Sequence, residues 1–155
     1  NQWYFGMKAH IGVDSRTKLI HSVVATAANV HDSQVIGDLL HGDETHLWGD
    51  SAYTGKQEVI AEVAPNARIL INEKGHNRRK LTDEDRARNR EKSKVRARVE
   101  HTFGVIKQKF GYRKVRYKGL DKNAHHLFFS CALANLVLAK KPLLRRRKRL
   151  RPSYA

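Results

Sequence analysis

The chain has 155 residues, which suffices for one domain with a hydrophobic core but not comfortably for two. Its 31 lysine and arginine residues outnumber its 15 aspartate and glutamate residues, so the net charge is +16 and a polyanion is the expected partner. The single cysteine, Cys131, excludes an internal disulfide, and no signal peptide or membrane-spanning run is visible. We therefore expect a cytoplasmic protein that does not contact a membrane.

The charge is unevenly distributed along the chain. Residues 1–71 hold 5 basic and 8 acidic side chains, net −3, whereas residues 72–155 hold 26 basic and 7 acidic ones, net +19. A metal-dependent enzyme that acts on nucleic acid would combine an acidic part with a basic part in this way. A ribosomal or chromatin protein would share the basic half but has no need of the acidic one.

The first elements are predicted to be two strands and a short helix. Apolar residues occupy alternate positions through residues 3–14, which is typical of a half-buried β-strand. A polar turn then leads to the β-branched run 19–26, the expected second arm of a hairpin. Residues 31–40, HDSQVIGDLL, predict a helix with Asp32 at its N-terminal end.

A carboxylate follows the next predicted strand, residues 46–49. It belongs to Asp50. Thr54 and Gln57 can form a capping box for a helix over residues 56–63, so Asp50 is not needed as the cap. Asp50 is therefore a candidate site residue, and a solvated turn aspartate is the alternative. One more strand is predicted at residues 68–71.

Residues 94–111 predict the amphipathic helix on which the site depends. Its core-facing stripe consists of five apolar residues, Val95, Val99, Phe103, Ile106 and Phe110. Arg96, Glu100 and Lys107 share one edge beside that stripe. Such an edge suits a metal-binding carboxylate flanked by phosphate ligands, and a plain Arg96–Glu100 ion pair on a solvated face is the alternative.

Basic segments flank this helix. Residues 72–94 predict a loop that becomes helical after Thr82, with Asp85 completing a capping box. A buried helix is predicted from residue 122 to about residue 140, with Asp121 as its cap. Residues 145–151, RRRKRLR, predict a like-charge tail that is disordered until it meets a polyanion.

The segment GYRKVRYKG, residues 111–119, interleaves tyrosines with basic side chains. Arg113, Lys114 and Arg116 are its candidate DNA-binding residues. This composition can hold phosphates and stack on bases.

Several motifs, in order along nearly the whole chain, resemble the DDE transposases of bacterial insertion sequences. They are the hairpin followed by ANVHD, the segment LWGDSAYTG around Asp50, and Arg96-x3-Glu100-x6-Lys107. The resemblance implies an α/β fold with an RNase H-like mixed sheet flanked by helices. Residues 1–141 would then be the catalytic domain, and residues 142–155 a basic C-terminal tail.

The resemblance also implies an activity, cofactors and partners. Three acids would bind two Mg²⁺ (or Mn²⁺) ions for nicking and strand transfer of double-stranded DNA. Asp50 and Glu100 would be two of these catalytic metal ligands, and Arg96 and Lys107 would hold phosphates of the DNA. A homodimer in a transposition complex and a nucleoid-associated location in a bacterial cytoplasm are the corresponding expectations.

Two departures from the family's pattern matter. Ser93 stands where the signature has a tyrosine, so only its Arg, Glu and Lys carry over. The family's first acid normally lies on a strand before the segment that begins this chain, and Asp14 is the only acid near that place. We therefore expect an N-terminally truncated domain with little activity alone. The alternatives are a non-catalytic DNA-binding remnant and an RNA-binding structural protein.

Overall fold

The computed structural model describes residues 6–75 and 80–149, and the side chains of residues 6–75 and 80–146. The described residues form four strands and three helices: β1 (Met7–Val13), β2 (Ile20–Ala27), β3 (His46–Gly49), α1 (Gln57–Val63), β4 (Arg68–Ile71), α2 (Asp83–Lys109) and α3 (Leu120–Arg149). Short 3₁₀ turns lie at Asp32–Gln34, Gly37–Leu39 and Ser51–Tyr53. The α/β class predicted from the sequence is confirmed.

Strands β1 and β2 form the predicted antiparallel hairpin, with Met7 opposite Ala27. Residues 3–5 of the predicted first strand lie outside the described residues. The Asp14 carboxylate closes the turn, because it accepts hydrogen bonds from the backbone N–H groups of Arg16 and Thr17 and from the Thr17 hydroxyl. The Asp14 carboxylate thus stabilises the hairpin turn.

Strands β3 and β4 pair in parallel, with Gly49 opposite Ile71. Within the described residues, the strands form two separate two-stranded sheets, β1–β2 and β3–β4, and not the single mixed sheet that was expected. Each sheet has its own core cluster. Ile11, Ile20, Val105, Ile106, Leu127, Cys131 and Ala134 form one, and Ile36, Leu47, Ile60 and Ile71 form the other.

Helix α2 begins where its capping residues predict. Thr82 accepts a hydrogen bond from the Asp85 backbone N–H, and the Asp85 side chain accepts one from the Thr82 backbone. From there the helix runs without interruption to Lys109, so it contains residues 94–109 of the predicted 94–111 helix and ends two residues before the predicted end. Thr102 and Ile106 are fully buried along it. Because α2 contacts both β1 and β3, it bridges the two sheets.

Two local predictions are wrong. Residues 31–40 form two 3₁₀ turns instead of a helix, with His31 as the cap of the first. Gly37 and the β-branched residues before it have low helix propensity, which accounts for the break. Helix α1 has Lys56 as its N-cap and no side-chain capping bond. Gly55, with a φ of 84°, turns the chain between Thr54 and the helix, so the predicted capping box does not form.

Helix α3 differs from its prediction in length and burial. It continues to Arg149, so residues 145–149 are helical and not a disordered tail; residues 150 and 151 lie outside the described part. Leu, Lys and Arg are good helix formers, and basic side chains near a helix C-terminus interact favourably with its dipole. Only one face is buried, around Leu127, whereas Phe129 and Leu136 are 65% and 64% exposed.

Residues Leu120–Arg146 of α3 are long and apolar enough to cross a membrane by length and composition. One such helix is weak evidence for a membrane span, because core helices of soluble proteins pass the same test. The expectation that the chain does not contact a membrane stays a prediction.

Candidate active site and nucleic-acid interface

Asp50 lies directly after β3, where the chain enters the turn Ser51–Tyr53. Its side chain is 52% exposed, accepts a hydrogen bond from the Ser51 hydroxyl at 3.1 Å, and forms an ion pair with Arg96 at 3.1 Å. Partial burial acts to raise the pKa of Asp50. The Ser51 hydroxyl, the Arg96 guanidinium and nearby backbone N–H groups outweigh burial, so the pKa of Asp50 lies below its ordinary value. Asp50 is therefore ionised at neutral pH.

A second carboxylate near Asp50 was not identified from the sequence as a site residue. Asp32 and Asp50 both act on Tyr53, whose pKa is raised by burial and then by these two negative charges. The Lys8 ammonium lies 3.2 Å from the Asp32 carboxylate and offsets its charge. The spacing of Asp32 and Asp50 along the chain does not predict that both lie near Tyr53. They do so because the turns Asp32–Gln34 and Ser51–Tyr53 pack together.

Arg96 and Glu100 lie one turn apart on α2, but they do not pair with each other. The ion-pair partner of Arg96 within the described residues is Asp50, and Glu100 is exposed without a partner there. The solvated Arg96–Glu100 pair, one alternative from the sequence, is thus not formed. Residues four apart on a helix have Cβ atoms about 6 Å apart, so Glu100 lies beside Arg96 on the surface of α2.

Glu100 opens onto a basic groove of about 610 Å³, which we define by Glu100, Lys107, Arg113 and Lys114. Lys107 and Glu100 come from α2, and the other two come from the loop that follows it. The Lys107 ammonium lies 5.9 Å from the centre of the Phe103 ring, a cation–π distance. A Cβ added at Gly104 would meet no atom within 4 Å, so this wall of the groove is open.

Asn123 holds the basic loop in place, and sequence reasoning missed it. Its side-chain oxygen accepts from the backbone N–H groups of Arg116 and Tyr117, and its side-chain N–H groups donate to the carbonyls of Tyr117 and Gly119. Asn123 is 3% exposed. An asparagine in the first turn of a helix that follows a loop is a weak signal of this role.

Arg116 is not among the residues that line the basic groove. Its guanidinium lies near Gly111, where an added Cβ would be 3.3 Å from it. Of the five residues predicted to bind DNA, three line the basic groove, Arg96 contacts Asp50, and Arg116 faces elsewhere.

The donor set agrees in part with a magnesium site. Mg²⁺ commonly takes one or two protein carboxylates together with phosphate oxygens, and Asp50 and Glu100 offer such ligands. In the described part of the chain, no group of three or more His, Cys, Asp or Glu side chains is arranged to hold a metal ion. Asp50 and Glu100 therefore stay predicted ligands, two of the three acids that the resemblance implies.

A second, larger groove separates the two sheets. This inter-sheet groove has a volume of about 850 Å³ and is lined by Ile11–Val13 of β1, by β3, and by Val95, Arg96, Arg98 and Val99 of α2. Strand β1 is paired only with β2, and β3 only with β4, among the described residues. Each of these two strands therefore has an unpaired edge.

These features define an α/β protein in which an acid at a strand end meets a long basic helix that bears a second acid. Residues 1–136 match the family model described as the transposase DDE domain. The match covers most of the chain, which therefore belongs to the transposase DDE domain family. No solved structure gives a significant match to the chain.

Proposed function

We propose that the chain is the catalytic part of a transposase that hydrolyses and transfers phosphodiester bonds of double-stranded DNA with Mg²⁺ or Mn²⁺. The main supporting observation is the 3.1 Å contact between Arg96 and Asp50, with Glu100 one turn further along the same helix. The strand-end acid, the helix acid and the basic groove thereby share one edge of α2. In this proposal Asp50 and Glu100 are metal ligands.

The individual residues have chemistry that suits these roles. Asp50 has a pKa below its ordinary value, so it is in the ionised form that a metal ligand requires. Lys107, Arg113 and Lys114 present positive charge to a phosphate backbone beside Glu100. When bound, Mg²⁺ would activate the attacking hydroxyl and stabilise the leaving oxygen.

In this proposal Asp32, whose charge is offset by Lys8, is not a metal ligand, and a further segment supplies the third carboxylate. Both β1 and β3 have an unpaired edge and both line the inter-sheet groove, and such edges pair readily with another strand. An additional strand in this groove would join the two sheets and could supply an acid near Asp50. Two copies acting together on DNA ends, as in a transposition complex, also belong to this proposal.

A DNA-binding remnant without catalytic activity is the second candidate. The observation that favours it is the absence, among the described residues, of a group of three acids around one point. Both candidates bind DNA through the basic groove, so DNA binding cannot separate them. Divalent-metal binding at Asp50 and Glu100 can.

The test is a titration of the 155-residue chain with Mn²⁺, followed by electron paramagnetic resonance. We expect weak saturable binding that is lost in the double variant Asp50→Asn, Glu100→Gln. The matched control is Asp38→Asn, Glu58→Gln, which removes the same charge from exposed positions outside both grooves. Equal Mn²⁺ affinity in the two double variants would favour the non-catalytic remnant.

A further inference from the structure

Two histidines that line the inter-sheet groove, His21 and His41, contact a buried serine, Ser22. His21 lies on β2, and His41 follows the turn Gly37–Leu39. The His21 Nδ1 atom is 3.1 Å from His41 Nε2, and the Ser22 hydroxyl oxygen is 2.9 Å from each of these nitrogens. Three potential donor atoms therefore form a triangle with sides of 2.9 to 3.1 Å.

The separation of the two nitrogens suits a shared metal ion. Zinc binds imidazole at about 2.0–2.1 Å in tetrahedral geometry, which places two such nitrogens about 3.3 Å apart. The Ser22 hydroxyl also donates to the Leu39 carbonyl at 2.9 Å, so its oxygen lone pairs are directed to the two rings.

The protein backbone is adapted to the His21 ring. A Cβ at Gly12 would lie 2.5 Å from His21 Cε1, so a side chain at position 12 would displace the ring. The loop that carries His41 is also fixed, because the Glu44 carboxylate accepts from the backbone N–H groups of His41 and Gly42 at 2.7 and 2.9 Å. The fold thus packs Gly12 of β1 against the His21 ring and fixes the backbone that carries His41.

The electrostatic environment favours a bound cation. The carboxylates of Glu44, Asp14 and Asp43 lie close enough to His21 to act electrostatically on its ring. Negative charge is therefore present beside the two imidazoles.

We propose that His21 and His41, with the Ser22 hydroxyl, bind a divalent transition metal such as Zn²⁺ or Ni²⁺, with water completing its coordination. Each ring would bind the metal as the neutral tautomer that carries its hydrogen on the other ring nitrogen, Nε2 of His21 and Nδ1 of His41, so a neutral ring releases no net proton. The bound metal would tie β2 to the 41–45 loop. This site is independent of the proposed carboxylate site, since imidazole nitrogen suits Zn²⁺ and Ni²⁺, whereas carboxylate oxygen suits Mg²⁺.

The experiment measures Zn²⁺ affinity of the 155-residue chain at pH 7.5 by competition with a chromophoric chelator. His21→Ala and His41→Ala each remove a ligand, and we expect at least about tenfold weaker binding, the lower end of what loss of a mere outer-shell partner costs. Gly12→Ala keeps both imidazoles but displaces one, so it should weaken binding as well. His31→Ala is the matched control, because the His31 ring is exposed and its hydrogen bonds within the described residues are to Ser33.

A second measurement does not depend on how the variants fold. In the unmodified chain, substoichiometric Ni²⁺ should broaden the ring resonances of His21 and His41 before those of the other histidines. Absence of saturable Zn²⁺ binding, equal loss of affinity in His31→Ala, or uniform broadening of all histidines would overturn the proposal. The two rings would then only share a hydrogen bond.

Discussion

Neutralising the basic groove should change the salt dependence of DNA binding by a predictable amount. The variant replaces Lys107, Arg113 and Lys114 by glutamine, which removes three charges that line one groove. Each phosphate contact contributes about −0.9 to the slope of log K against log salt, so three contacts contribute about −2.7. Between about 50 and 200 mM salt, the affinity of the parent should therefore fall about 40-fold more than that of the variant.

The assay is fluorescence anisotropy with a labelled duplex of arbitrary sequence. The matched control replaces Lys18, Lys56 and Arg68 by glutamine, an equal charge change in residues that do not line the basic groove. We expect the control to retain nearly the slope of the parent. An unchanged slope in the groove variant would refute a phosphate-binding role for these side chains. Equal slopes in both variants would show that only overall charge matters.

Three further predictions concern individual residues. Arg96→Gln should raise the pKa of Asp50 in a carbon-13 NMR titration, because it removes the guanidinium charge that stabilises the ionised carboxylate. Because the pKa of Asp50 is lower in the folded chain than in the unfolded chain, its ionised carboxylate stabilises the fold at pH values above the unfolded pKa. This stabilisation is lost as the pH falls through the folded pKa, and the loss should be smaller in Arg96→Gln than in the parent. Asn123→Ala should cost about 1–3 kcal/mol in urea unfolding and weaken DNA binding, because it releases the basic loop; unchanged binding would contradict that positioning role. Burial raises the pKa of the Cys131 thiol to about 11, so it should not react with a disulfide reagent at pH 8 until the chain unfolds, and rapid reaction of the folded protein would contradict its burial.

Local signals in the sequence sufficed for much of the fold. Alternating apolar residues predicted the β1–β2 hairpin, and the short apolar run before Asp50 predicted β3. The Thr82 and Asp85 pair marked the start of α2. Each of these elements is specified by residues within one turn or one strand, so no knowledge of distant contacts was needed.

Features that depend on long-range packing could not be predicted in this way. Whether Arg96 pairs with Glu100 or with Asp50 depends on where β3 meets α2, and the helix alone leaves both open. The apolar composition of α3 suggested burial on all sides, yet Phe129 is exposed because the core covers only the opposite face. The proximity of Asp32 to Tyr53, and the bonds of Asn123 to the basic loop, likewise arise only in three dimensions.

We propose above that Glu100 is a metal ligand in DNA cleavage. The most direct test of this proposal uses a longer polypeptide that supplies a strand with an acid for the inter-sheet groove, and measures Mg²⁺-dependent nicking of DNA that carries the element's ends. Glu100→Gln keeps the shape of the side chain but removes its charge, so cleavage should fall by orders of magnitude while DNA binding persists. The control is Glu91→Gln, an exposed position on the same helix that pairs with Lys94. If the Glu100→Gln protein cleaved as fast as its parent, Glu100 would not be a ligand and the proposed active site would be wrong.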